Sequence, residues 1–183
     1  MRESSVTEKR TASDRPGEFE KPPAAKPRKT LWAWVVATFF GAGLLKPGPG
    51  TWGSLAAAAI WYYGLRAAHL TGWTGIGVVL AGVAVATLIG IPAATRVERE
   101  AGREDPGFVV VDEVAGQWLA LAAAPLDWRH GIAAFVLFRL FDIVKPWPAR
   151  QLEKLHGGTG IVLDDLAAGG YALLVMLLVR RWG

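Results

Sequence analysis

The stretch WTGIGVVLAGVAVATLIGIPAAT, residues 73–95, contains no charged side chain. Crossing the roughly 30 Å hydrocarbon core of a bilayer takes about 20 apolar residues at 1.5 Å per residue, and this run is long enough. Its surroundings extend the pattern. Between Leu31 and Val97 only Lys46, Arg66 and Arg96 are charged. A soluble core in a chain of 183 residues does not need such a run, so the sequence reads as one integral membrane domain. Further apolar segments lie at 31–45, 54–70, 114–124, 131–144 and 166–180. They are rich in Ala, Leu, Val and Gly and show no alternating period, which predicts helices and not a barrel. The expected fold is therefore all-α and polytopic. Several segments are short or re-entrant, and 31–45 runs straight into the helix-breaking Lys46-Pro47-Gly48-Pro49-Gly50. Trp32, Trp34, Trp73, Trp128, Trp147 and Trp182 fall near segment ends, where they read as interfacial anchors.

Residues 1–30 are of another kind. They carry eight Lys/Arg, five Asp/Glu and four prolines, with Phe19 as the one aromatic, a composition that predicts a disordered basic tail. The run Lys26-Pro27-Arg28-Lys29 precedes the first apolar segment and favours a cytoplasmic N-terminus. The tail reads as an anchor against anionic lipid, with no nucleic-acid partner. There is no cysteine, which excludes a disulfide framework, thiolate metal sites and a cysteine nucleophile. Nothing in the sequence signals an oligomeric state.

Eleven of the sixteen carboxylates lie between Glu98 and Asp165. Acids among apolar residues are costly in lipid unless they bind a cation, pair with a base or face water. If 54–70 leaves the cytoplasm, the later segments bring 96–107, 142–145 and 146–163 to one face, the cytoplasmic one. This topology leaves Arg180-Arg181 at a non-cytoplasmic end, against the charge rule, and a last helix that hairpins back is the alternative.

Asp112 and Glu113 open a helix or sit within it. Adjacent acids point about 100° apart there and share one ion only at its edge. Favourable dipole charge at a helix start explains one of them better than two. Arg139, Asp142 and Lys145, at i, i+3 and i+6, form one polar stripe. It is either a self-satisfied ladder or a site where Asp142 binds metal and the bases meet phosphate oxygens. Asp105, before Pro106, is expected to cap a helix. The run His156-Gly157-Gly158-Thr159-Gly160 allows close backbone approach to a ligand or makes a plain turn. Asp164-Asp165 follows, two acids where capping needs one. His156 ranks low as a general base beside its reading as a surface residue. The 46–54 stretch offers a base, the Thr51 and Ser54 hydroxyls and free backbone amides at a helix start. It reads as an anion site without being a P-loop.

Four blocks together resemble the phosphatidylglycerophosphatase A family: PGPGTWGSL at 47–55, VVDEVAGQW at 110–118, FRLFDIVKPWP at 138–148 and GGTGIVLDDLAAG at 157–169. The resemblance covers about residues 36–180. It implies an all-α protein of the bacterial inner membrane and a Mg²⁺-dependent phosphatase converting phosphatidylglycerophosphate to phosphatidylglycerol. It also implies that Asp112, Glu113, Asp142, Asp164 and Asp165 form the active site. Read with the residue chemistry above, these acids are expected to hold the metal, and Arg139, Lys145, Thr51 and Ser54 are the phosphate-binding candidates. Attack by water and an aspartyl-phosphate stay open. Two other readings compete: a phosphatidyl- or alcohol transferase, whose Asp-Gly-x-x-Ala-Arg signature is missing, and a divalent-cation transporter. The transporter would need its acids mid-span and facing a pore, whereas these lie at segment ends beside bases.

Overall fold

A computed structural model describes residues 29–182. The expected disordered tail at 1–30 falls, except for its last two residues, outside the described residues. Every regular element among the described residues is helical. The order is α1 (Leu31–Ala37), a 3-10 turn (Ala42–Leu44), α2 (Pro49–Ala59) and a wide π turn (Ile60–Gly64) running into α3 (Leu65–Ala67). Then come α4 (Gly72–Ala101), α5 (Val111–Leu121), α6 (Trp128–Val144), α7 (Ala149–Leu152) and α8 (Gly158–Trp182).

Among the described residues two helices, α4 and α8, are long and apolar enough to cross a membrane. The first spans about 45 Å and absorbs the charged 96–101 segment as a final, more polar stretch. It stops at Gly102, whose left-handed conformation (φ 67°) lets its N–H close on the Glu98 carbonyl. By contrast α5, at about 16 Å, is far too short to span. It forms the centre of the bundle, flanked by α8, α4, α2 and α6.

Small residues set the tight packing. A methyl group at Gly169 of α8 would lie 2.3 Å from the Gly116 carbonyl oxygen of α5, so these backbones touch. A methyl at Gly158 would lie 2.2 Å from the Ile91 carbonyl oxygen, which seats the start of α8 on α4. The glycine run at 157–160 thus serves helix packing at Gly158. Its neighbour Gly157 (φ 71°) lies beside the polar cavity described below.

The 31–45 segment breaks early. After α1, Phe39, Phe40 and Gly41 all take positive φ and turn the chain. Ala33 and Ala37 of α1 bury themselves against Ala93, Ala94 and Val97 of α4. Trp34 departs from the role of interfacial anchor. It stacks on Phe108, with ring centroids 5.1 Å apart, and its Nε1 donates to Glu100 Oε2 at 2.8 Å. Trp73, Trp128 and Trp147 do lie exposed. Asp105 caps no helix: it sits at positive φ (40°) in the loop between α4 and α5, and α5 begins only at Val111. Pro106 is followed by a turn closed by Val109 N–H on its carbonyl, which postpones the helix.

At the opposite end of the bundle Asp127 caps α6, accepting from the N–H groups of Arg129 (3.0 Å) and His130 (3.1 Å). Arg180 reaches the Ala123 carbonyl there at 3.5 Å, so the end of α8 lies beside the α5–α6 turn. The acidic blocks gather at the other end, where α5 and α8 start and α6 stops.

Candidate functional site

A polar cavity of about 400 Å³ opens at that end. The first turn of α5 contributes Asp112 and Glu113, and the second turn of α8 contributes Asp164 and Asp165. Asp142, from the last turn of α6, and Lys145, just beyond it, complete the inner wall. Glu98, Glu104, Asp105, Glu153 and His156 lie toward the rim.

Three of the acids converge. Asp112, Glu113 and Asp165 each present one oxygen, and these atoms lie within 4.8 Å of one another. The edge-sharing limit of two adjacent helical acids is therefore lifted by a third from α8. Their second burden is unmet hydrogen bonding: Asp112 Oδ1, Glu113 Oε2 and Asp165 Oδ2 are buried without a partner among the described residues. Three oxygen donors held together at low solvent access, with free lone pairs, fit a hard divalent cation.

The other two acids are tied to bases. Arg139 Nη1 lies 2.9 Å from Asp142 Oδ2 and 3.9 Å from Glu113 Oε1, so it bridges the paired acid and the cluster. Lys145 does not continue the ladder along α6. Its backbone is left-handed (φ 47°), which swings Nζ away to Asp164 and to Glu153 Oε1 at 3.0 Å. Burial works against its charge, but hydrogen bonds and attraction from those two carboxylates prevail and hold its pKa above the ordinary lysine value. Burial also raises the Asp105 carboxyl above its ordinary value, against the pull of Lys145.

Thr51 and Ser54 do not line the cavity. Ser54 is buried and its Oγ donates to the Gly50 carbonyl at 2.9 Å. The start of α2 nevertheless reaches the site through its backbone: a methyl at Gly50 would lie 2.0 Å from Glu113 Oε1 and 3.2 Å from Arg139 Nη1. Two participants are not apparent from the sequence. Glu153 holds Lys145, and no local pattern links them across eight positions. Gln117 is fully buried on α5; its polarity at i+4 from Glu113 in an apolar helix is the one signal that points to it.

The fold and cavity define a helical protein with two potential membrane spans and a carboxylate cluster flanked by an Arg and a Lys. Comparison with known proteins narrows this. The phosphatidylglycerophosphatase A family matches residues 35–180. A Haemophilus influenzae protein named phosphatidylglycerophosphatase A is 39% identical over 150 residues, covering 81% of this chain and 88% of that protein. Its Escherichia coli namesake is 39% identical over 137 residues, covering 74% of this chain and 76% of that protein. A Bacteroides thetaiotaomicron protein named putative phosphatidylinositol-3-phosphatase is 42% identical over 154 residues, 81% of this chain and 92% of that protein. No solved structure matches. The chain belongs to the phosphatidylglycerophosphatase A family and is accordingly a phosphoric monoester hydrolase.

Proposed function

We propose that this enzyme removes the terminal phosphate of phosphatidylglycerophosphate to give phosphatidylglycerol, in phospholipid synthesis at the bacterial inner membrane. The observation that carries the reading is the convergence of Asp112, Glu113 and Asp165 beside Arg139 and Lys145, in a chain of this family. Asp112, Glu113 and Asp165 would hold Mg²⁺. That ion, when bound, polarises phosphoryl oxygens and acidifies an attacking water.

The chain's own groups do the rest. Arg139, held by Asp142 beside Glu113 and just behind the cavity lining, would bring its planar guanidinium charge to the phosphate. Lys145 supplies a compact charge, oriented by Asp164 and Glu153. Together they offset the monoester's negative charge, which the acidic cavity would otherwise repel. Hydrolysis breaks the ester P–O bond, the new oxygen on phosphorus comes from water, and the freed glycerol oxygen takes a proton. The acyl chains stay in the bilayer, so the cavity need capture only the headgroup. A multi-pass arrangement with this cavity facing the cytoplasm fits the basic 26–29 run and the gathering of polar helix ends.

Phosphate release from a panel of lipid phosphates in detergent micelles tests the assignment. The panel includes phosphatidylglycerophosphate, phosphatidic acid and phosphatidylinositol 3-phosphate, the last because of the name carried by the Bacteroides relative. Preference for phosphatidylglycerophosphate is expected. Preference for the inositol lipid would reassign the substrate, and no release from any of them would sink the reading. Sidedness is read by labelling a cysteine introduced at Thr159, with no background thiol to interfere. Labelling only from the periplasmic side would reverse the topology.

A further inference from the structure

Gln117 lies one helical turn beyond Glu113 on α5, and the i,i+4 spacing places both side chains on one face. Its side chain is fully buried, yet neither the amide nitrogen nor the amide oxygen has a hydrogen-bond partner among the described residues. Buried carboxamides are ordinarily satisfied, and an exception calls for a physical reason. Trp118, the next residue, shows the ordinary case: its Nε1 donates to the Ala57 carbonyl at 2.9 Å.

The missing bonds on Gln117 have a counterpart nearby. Glu113 Oε2 and Asp165 Oδ2 are buried acceptors that also lack partners. The level is right as well. A methyl on Gly116, adjacent to Gln117, would lie 2.6 Å from the Asp165 carbonyl oxygen, so this turn of α5 faces the acid-bearing turn of α8.

We propose that Gln117 is a positioning residue for the carboxylate cluster. Its N–H groups satisfy the free oxygen of Glu113 across one bridging water and hold that carboxylate in the orientation that receives the cation. A carboxamide suits the place because it donates without adding charge. A lysine would neutralise the cluster, an acid would add repulsion, and an apolar side chain would leave Glu113 free to rotate. The inference rests on the cation-binding reading given under Proposed function, and the experiment separates the two.

Mn²⁺ binding is titrated by electron paramagnetic resonance in detergent for the wild type, Gln117→Leu and Gln117→Met, with thermal melts and steady-state kinetics alongside. The wild type should bind saturably. Both variants should fold and bind Mn²⁺ about 10–100-fold more weakly, the usual cost of losing a group that orients a metal-binding side chain. Their kcat should fall more than their KM rises. An idle buried amide predicts the opposite, since an apolar replacement of similar shape then costs nothing. Mn²⁺ affinity within twofold of wild type in either folded variant overturns the role of Gln117 alone. Absence of saturable binding in the wild type overturns the cation site itself, and this proposal with it. Failure of both variants to fold assigns Gln117 to packing and also overturns the proposal.

Discussion

Substituting Gly169 by Ala adds one methyl group, at a position one turn from Asp165 and outside the cavity lining. That methyl would sit 2.3 Å from the Gly116 carbonyl oxygen and 3.0 Å from the Gly116 Cα. Ordinary contact begins near 3.4 Å, so α8 and α5 must separate by about 1 Å. The obstructing atoms are backbone and cannot rotate away. Two effects oppose each other in stability. Overpacking costs about 1–3 kcal/mol, while Ala gains about 0.5–1 kcal/mol over Gly inside a helix. The melting temperature should therefore fall only modestly. Turnover should respond far more, because Asp112 and Glu113 ride on α5 while Asp165 rides on α8. Functional constellations tolerate about 0.5 Å, and a displacement near 1 Å costs about 10²-fold in rate. The assay is phosphate release in micelles, with Gly170→Ala as the control. A methyl at Gly170 meets open space, so that variant should keep its activity and melt no lower than wild type. If Gly169→Ala works within twofold of wild type while folded, the spacing of α5 and α8 does not govern the site.

The acids should behave as a unit: Asp142→Asn, Asp164→Asn and Asp165→Asn each remove charge without volume, and each should lower kcat/KM by at least about 10²-fold with expression intact. Wild-type rates in all three would reject the shared site. Chelation should abolish phosphate release and Mg²⁺ should restore it; full activity in protein shown by elemental analysis to be metal-free would refute this. Asp127→Ala should cost about 1 kcal/mol of stability at neutral pH, read as a lower melting temperature, and leave turnover unchanged. Slight desolvation opposes the shift, but the His130 and Arg129 hydrogen bonds hold the Asp127 carboxyl below its ordinary value. Its contribution is thus complete above the unfolded pKa of about 3.9 and is lost as pH falls through the lower folded value. Wild type and mutant melts should converge there, and a gap that persists in strong acid would contradict the cap.

Hydropathy made α4 legible because a chain this short has little use for a long uncharged run outside a membrane, and the observed helix overshoots that run by Gly72 and by the charged 96–101 stretch. The acidic blocks stood out for a similar reason: charge amid apolar residues is expensive, so its presence is informative. Partnership was not legible. Helical spacing leaves open whether Lys145 pairs along its own stripe or meets phosphate, and one left-handed residue instead redirects it to Asp164, nineteen positions on. Asp105 looked like a cap because Pro often opens a helix, yet the Pro106 turn delays α5 until Val111. The contact of Gly116 with Gly169 is likewise a property of two helices and leaves no mark in either one alone.

The cavity is built where helices begin and end, and α4 and α8 run from it as long apolar rods with many outward-facing aliphatic side chains. On the proposed function, a lipid headgroup arrives by sliding within its leaflet and never crosses bulk solvent. Encounter then becomes a two-dimensional search. The quantity that sets the rate is the mole fraction of substrate in the surface, so diluting the lipid with inert detergent slows catalysis even when its molar concentration is unchanged.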